Sequence, residues 1–183
     1  AALVGAGELT VAADDLTTGD LIVIAGGSSD VSLDADALTT GSVNATLGNG
    51  DNTVTIGAGA TAASFEFVAT AGDGDDELIF EGTKFTSDAS TESITFDMGT
   101  GNNTMTFAGT TTYDLTDATL NITGLDVIDL GGNATTTTFD AAFLTGQSYE
   151  IKGAGNTLAT DLLNVHTDTA GTYDFSDLDM NLT

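Results

Sequence analysis

The sequence predicts an all-β fold, a parallel β-solenoid with coils of about 24–27 residues, on three observations. A glycine-cornered motif recurs along the chain, alternating apolar and polar residues flank each copy, and the composition is that of strands and turns. The chain of 183 residues holds 23 Gly and no Pro, and Asp outnumbers Glu 22 to 6. Thr, Val, Ile and Phe suit a pleated surface, while Gly, Asn and Asp suit turns. Pro removes a ladder donor, so its absence fits a chain that pairs along most of its length. An antiparallel sandwich joined by Gly-Asn and Gly-Asp hairpins draws on the same residues and is the competing architecture.

The motif reads Gly-x-Gly, two Asp or Asn, one variable residue, then an alternating strand. Its copies are Gly48-Asn49-Gly50-Asp51-Asn52-Thr53-Val54-Thr55-Ile56, Gly72-Asp73-Gly74-Asp75-Asp76-Glu77-Leu78-Ile79-Phe80 and Gly99-Thr100-Gly101-Asn102-Asn103-Thr104-Met105-Thr106-Phe107. The first glycines stand 72 − 48 = 24 and 99 − 72 = 27 residues apart. A weaker copy begins at Gly153, two intervals of 27 further on, and a degenerate one at Gly26. Between them, Leu125–Leu130 reads as a strand that lacks its glycine corner. Strands preceding the corner are expected at Val43–Leu47, Phe65–Phe67, Ile94–Met98 and Tyr149–Ile151. Such a period, holding two or three short strands, is one coil that pairs only with the coils above and below. Val54, Ile56, Leu78, Phe80, Met105 and Phe107 are then expected to stack inside. The chain divides into edge strands at 1–25, solenoid repeats at 26–172 and a C-terminal edge strand at 173–183.

Charge excludes several functions. Lys and Arg number 2 against 28 acidic residues, a formal net charge of -26. Nucleic acid and anionic membrane surfaces are ruled out as partners, because both require a basic face. No apolar run approaches the roughly 18 residues of a membrane span, so membrane insertion is not expected. Without Cys, neither disulfides nor thiolate metal sites contribute. A chain that opens on Ala1 is expected to be processed or excised from a longer one.

At the corners, the glycines serve a repeated backbone shape. Asp51, Asp73, Asp75, Asp76, Asn49, Asn102 and Asn103 would stack there as a column of oxygen ligands. Ca²⁺ takes 6 to 8 such oxygens, so calcium is the expected cofactor, with the weak affinity of extracellular modules. Asn ladders can also be satisfied by stacked amide hydrogen bonds alone. These residues resemble the glycine-rich, aspartate-containing calcium repeats of RTX-type secreted proteins, and the wider texture resembles large RTX adhesins and bacterial surface-layer proteins. The resemblance is partial, with one glycine corner per coil rather than tandem nonapeptides. It implies export to the cell surface and folding that depends on extracellular calcium.

Catalysis is not expected. His166 is the single histidine, near Asp161 and Asp168, and a lone histidine at a strand end is most simply a surface residue. Lyases acting on acidic sugars need basic residues, and nothing singles out a glycosidase pair among 22 Asp. No Gly-Lys-Ser/Thr follows the glycines, so a phosphate loop is excluded. Thr-x-Thr runs raise an ice-binding solenoid, although Thr also simply favours strands. The ends carry apolar residues able to pair with something: Leu3, Val4, Leu9 and Val11 at one, Tyr173, Phe175, Leu178, Met180 and Leu182 at the other. The expectation is therefore an extracellular, non-enzymatic structural protein that self-associates head to tail in a filament, surface layer or adhesin. A carbohydrate-binding or carbohydrate-cleaving β-helix is the alternative.

Overall fold

The computed structural model describes residues 7–38, 40–57, 65–81, 93–108, 112–131, 135–153 and 161–181. Its strands are β1 (Leu9–Ala12), β2 (Thr18–Ile24), β3 (Val31–Ala35), β4 (Thr40–Thr46), β5 (Thr53–Gly57), β6 (Phe65–Thr70), β7 (Glu77–Glu81), β8 (Ser93–Asp97), β9 (Asn103–Ala108), β10 (Thr112–Asp114), β11 (Thr119–Thr123), β12 (Leu125–Asp129), β13 (Thr136–Asp140), β14 (Glu150–Lys152), β15 (Leu162–His166) and β16 (Asp179–Asn181). One short helix, α1 (Ala141–Leu144), follows β13. Every strand pairing is parallel. Hairpins would give antiparallel pairs, so the sandwich is excluded and the chain is a β-solenoid of about five turns.

Three faces build the coils. The first face is an eight-stranded sheet in the order β1-β3-β5-β7-β9-β12-β14-β16, which runs from one end to the other. The second is β11-β8-β6-β4-β2, and the third, among the described residues, is β10-β13-β15. Alternation decides which residues face inward. In β3, β5, β7 and β9, Leu33, Val54, Leu78 and Met105 share one register row, with Ala35, Ile56, Phe80 and Phe107 in the next. The six residues expected to stack inside are all fully buried. Burying a large apolar side chain contributes about 1.5–3 kcal/mol. Aromatic rings extend this column, with Phe80 and Phe107 stacked at 5.0 Å and Tyr113 and Phe139 packed on Phe107 at 5.0 and 5.8 Å.

The coil length is less regular than the glycine motif implies. Along the central inward row, the shortest step is 54 − 33 = 21 residues and the longest 180 − 151 = 29. Hydrogen-bond register fixes only the strands, so the turns absorb the difference. The Tyr149–Ile151 segment does not precede a corner as β4, β6 and β8 do: β14 belongs to the first face, beside β12. Consequently Gly153 lies after a first-face strand instead of before one, and the interval of 27 does not extend there. The reason is that α1 stands where the preceding coil has a second-face strand. After β12 the chain runs into β13 and α1, and the second face ends at β11. The rest of that weak copy, from Ala154, lies outside the described residues.

Candidate functional site

The repeated corner joins each second-face strand to the next first-face strand, between β2 and β3, β4 and β5, β6 and β7, and β8 and β9. Two stacks of backbone meet there. Gly48 sits on Gly27, Gly99 on Gly72 and Gly124 on Gly99, while Gly74 sits on Gly50 and Gly101 on Gly74. Gly74 and Gly101 have φ of 142° and 146°, and a Cβ at either would collide with the carbonyl oxygen of the glycine one coil below. Only glycine combines that φ with that approach. The Leu125–Leu130 segment forms β12 as expected, but its corner is not empty of glycine. Gly124, with φ of 76°, continues the stack, and a register shift between Leu125 and Val127 takes up the shortened turn.

The two acidic or amide residues after the glycines form two ladders of opposite direction. On the outside, Asp30 Oδ1 accepts from the Asp51 N–H at 2.9 Å, Asp51 Oδ1 from the Asp75 N–H at 2.9 Å, and Asp75 Oδ1 from the Asn102 N–H at 2.8 Å. On the inside, the Val31 N–H donates to Asn52 Oδ1 at 3.1 Å, and the Asn52 N–H to Asp76 Oδ1 at 2.9 Å. The Asp76 N–H then donates to Asn103 Oδ1 and the Asn103 N–H to Asp126 Oδ2, both at 2.9 Å. Backbone N–H groups that a turn withdraws from the strand ladder are thus satisfied by side chains of the neighbouring coil. This is a physical reason for the Asp/Asn pair in the copies at Gly48, Gly72 and Gly99.

The seven residues expected as ligands separate into two environments. Asn49, Asp51, Asp73, Asp75 and Asn102 are exposed, whereas Asp76 and Asn103 are buried in the inner ladder. Asp73 accepts from Thr100 Oγ1 at 2.8 Å and from Asn49 Nδ2 at 3.5 Å. Burial pushes the Asp76 carboxyl above the ordinary 3.8, hydrogen bonds from Asn52 oppose this, and Asp51 and Asp75 add to the rise. Among the described residues, three acidic groups close enough to share an ion occur at a different corner, Asp14, Asp34 and Asp36, within 4.8 Å of one another. Burial raises the Asp36 pKa, and the charges of Asp34 and Asp14 raise it further. The glycine motif gave no sign of this cluster. A second repeat does: Ala13-Asp14-Asp15-Leu16 and Ala35-Asp36-Ala37-Leu38 lie 36 − 14 = 22 residues apart, and both close with Leu N–H donating to Ala C=O.

Among the described residues, no strand covers either end of the solenoid. β1 and β2 are the last strands of the first and second faces at the N-terminal end, and β16 and β15 the last of the first and third faces at the other. Leu9, Val11 and Leu178 pack partly on the core, and Met180 is 48% exposed. Ile22 (69%) and Ile24 on β2, with Leu162 and Val165 on β15, are further exposed apolar residues on these terminal strands. Tyr173 and Phe175 lie in an irregular segment before β16, their rings parallel at 6.4 Å. Leu3, Val4 and Leu182 lie outside the described residues.

The remaining candidates are dispersed. His166 Nδ1 stands 3.4 Å from Asp168 Oδ1 on the surface, while Asp161 Oδ1 accepts from the Thr135 N–H at 3.0 Å. A cleft of about 280 Å³ lies between β11 and α1, lined by Leu115, Leu120 and Phe143 with Asp140 as its one acid. The Asp140 carboxylate caps α1 through the Ala142 N–H at 2.9 Å. Thr53 and Thr55 are separated from Thr104 and Thr106 on the same face by Glu77 and Ile79, and Thr106 Oγ1 donates to Glu77 Oε1. No helix among the described residues is long and apolar enough to cross a membrane. No family model, curated protein or solved structure matches the chain.

Proposed function

We propose that this chain is an extracellular structural protein that assembles end to end, as a component of a filament, surface layer or adhesin stalk. The observation that carries the reading is the first face, which runs unbroken from β1 to β16 and, among the described residues, ends on an unpaired strand edge at both ends. An unpaired edge is a template for another strand. Along the inward register the same row begins on Val11 and finishes on Met180, so a second copy set on the first continues it, apolar residue on apolar residue. Head-to-tail contact of this kind need not close into a ring, and it generates a fibre.

A charge of -26 opposes such association. Calcium is the proposed counter-ion, drawn to the outward carboxylates of Asp30, Asp51, Asp73 and Asp75 and to the Asp14, Asp34 and Asp36 cluster. Sedimentation of the chain and of Met180→Lys, each with millimolar calcium and with excess chelator, tests the reading. Polymers formed by the parent and lost in the variant are expected, and a parent that stays monomeric in both conditions would refute it.

A further inference from the structure

The corner ladders employ Asn52 and Asn103, but two other asparagines take no part in holding the coils together. Asn44 lies inside β4 and Asn121 inside β11, although a strand interior disfavours asparagine. Both point outward, both are exposed, and neither side-chain amide has a hydrogen-bond partner among the described residues. They share one register row of the second face, Ile22-Asn44-Val68-Thr95-Asn121. Each opens an Asn-x-Thr triplet, Asn44-Ala45-Thr46 and Asn121-Ile122-Thr123, which is the acceptor sequence for N-linked glycans. The buried Asn52 and Asn103 open no such triplet, nor does Asn164, exposed on β15. Both sites also border exposed apolar surface. Ile22 and Ile24 are the register partners of Asn44 and Thr46 on the adjoining strand. On β11, Thr119 and Leu120 beside Asn121 line the cleft that Leu115 and Phe143 also line.

We propose that Asn44 and Asn121 are N-glycosylation sites, whose glycans cover the apolar parts of the second face. The proposal rests on the extracellular reading above, because the glycan is added to exported chains. The co-substrate is an oligosaccharide linked through C1 to a polyprenyl diphosphate. Asparagine Nδ2 attacks C1, the C1–N bond forms as the bond to the diphosphate oxygen breaks, and the lipid diphosphate departs. The amide gives one proton to a base of the transferase. β4 is paired on both edges, so transfer to Asn44 precedes closure of its coils, and the outward side chain then keeps the sugar in solvent. Three strand steps separate the sites, about 14 Å at a spacing of about 4.8 Å, which keeps the two glycans apart. Glycans on this face also leave the ends free for stacking. Asn181-Leu182-Thr183 is a further triplet, but it starts on β16, where a glycan would block the next copy. Asn102-Asn103-Thr104 belongs to the corner row, and Asn133-Ala134-Thr135 starts outside the described residues.

The experiment uses the full chain recovered from outside the cells that make it, cut with an acid-directed protease and sequenced by mass spectrometry under fragmentation that keeps side-chain adducts. Sugar masses are expected on Asn44 and Asn121, with Asn164 bare. Thr46→Ala and Thr123→Ala keep each asparagine but break its triplet, and each should lose the adduct from its own peptide alone. Both threonines are exposed, so the variants are expected to fold. The double variant should bind more of an apolar dye than the parent, as the isoleucines and the cleft lose their cover. Either asparagine found only bare on the exported chain would overturn the proposal and leave end-to-end assembly standing. An adduct that survives its threonine substitution would overturn it too, because the modification would then be of another kind. A chain that never leaves the cell would overturn the extracellular reading, and this proposal with it.

Discussion

Replacing Asn52 with Ala tests whether the inner ladder holds the coils together. Asn52 is fully buried and serves three coils at once. Its Oδ1 accepts the Val31 N–H from below, and its Nδ2 donates to Gly48 and Gly50 within its corner and to Asp76 Oδ1 above. Truncation orphans a buried backbone N–H, which costs about 1–3 kcal/mol, and forfeits further bonds with a net value of about 0.5–1.5 kcal/mol each. Some of that is recovered as the corner relaxes, which leaves an expected loss of about 3–4 kcal/mol. At a urea m-value of about 2 kcal/mol/M, the midpoint falls by about 1.5–2 M. Asn49→Ala is the matched control. It removes an exposed amide from the same corner whose side-chain bond is a single long contact of 3.5 Å to Asp73, and it is expected to stay within about 0.5 kcal/mol of the parent. Equal effects of the two substitutions would refute the ladder argument.

Other consequences follow from the same geometry. Gly101→Ala forces a Cβ against the Gly74 carbonyl at a φ of 146° and is expected to cost about 3 kcal/mol or more, read as a lowered denaturant midpoint. Thr137 is fully buried on β13 with a hydroxyl that has no partner, so Thr137→Val, nearly equal in shape, should stabilise by about 1 kcal/mol in the same assay. Phe107→Ala removes the ring that Phe80, Tyr113 and Phe139 pack against and should cost about 3–5 kcal/mol. Raising salt from 0.01 to 0.15 M shortens the screening length from about 30 to 8 Å, so the melting temperature of this highly acidic chain should rise.

How much of this was legible in the sequence depended on which residues carried a periodic signal. The solenoid and its inner stack were readable because Val54, Leu78 and Met105 must recur on one face after each Gly-x-Gly corner. The C-terminal coils were not. Tyr149–Ile151 alternates like the strands before a corner, yet it pairs with β12, since alternation says which residues face inward and not which sheet a strand joins. The corner carboxylates were legible as a column. Their hydrogen bonding was not, because Asp and Asn serve equally as ion ligands and as acceptors for a neighbour's N–H. The Asp14, Asp34 and Asp36 cluster was missed because its repeat has no glycines to mark it, and Asp76, the buried acid of the inner ladder, is distinguished from Asp75 only by burial. Leu9, Val11 and Met180, expected at the edges, fall on the terminal strands β1 and β16 of the first face, whereas Ile22 and Ile24 read simply as strand and alternate outward, as do their exposed register partners Asn44 and Thr46.

The most direct test of end-to-end assembly is diffraction from aligned polymers of the full chain grown in millimolar calcium. Stacked coils continue the strand spacing of about 4.7–4.8 Å from one copy into the next, so that reflection should lie along the polymer axis. A chain that forms no polymer, or one whose 4.7–4.8 Å reflection lies across the axis, would contradict the account.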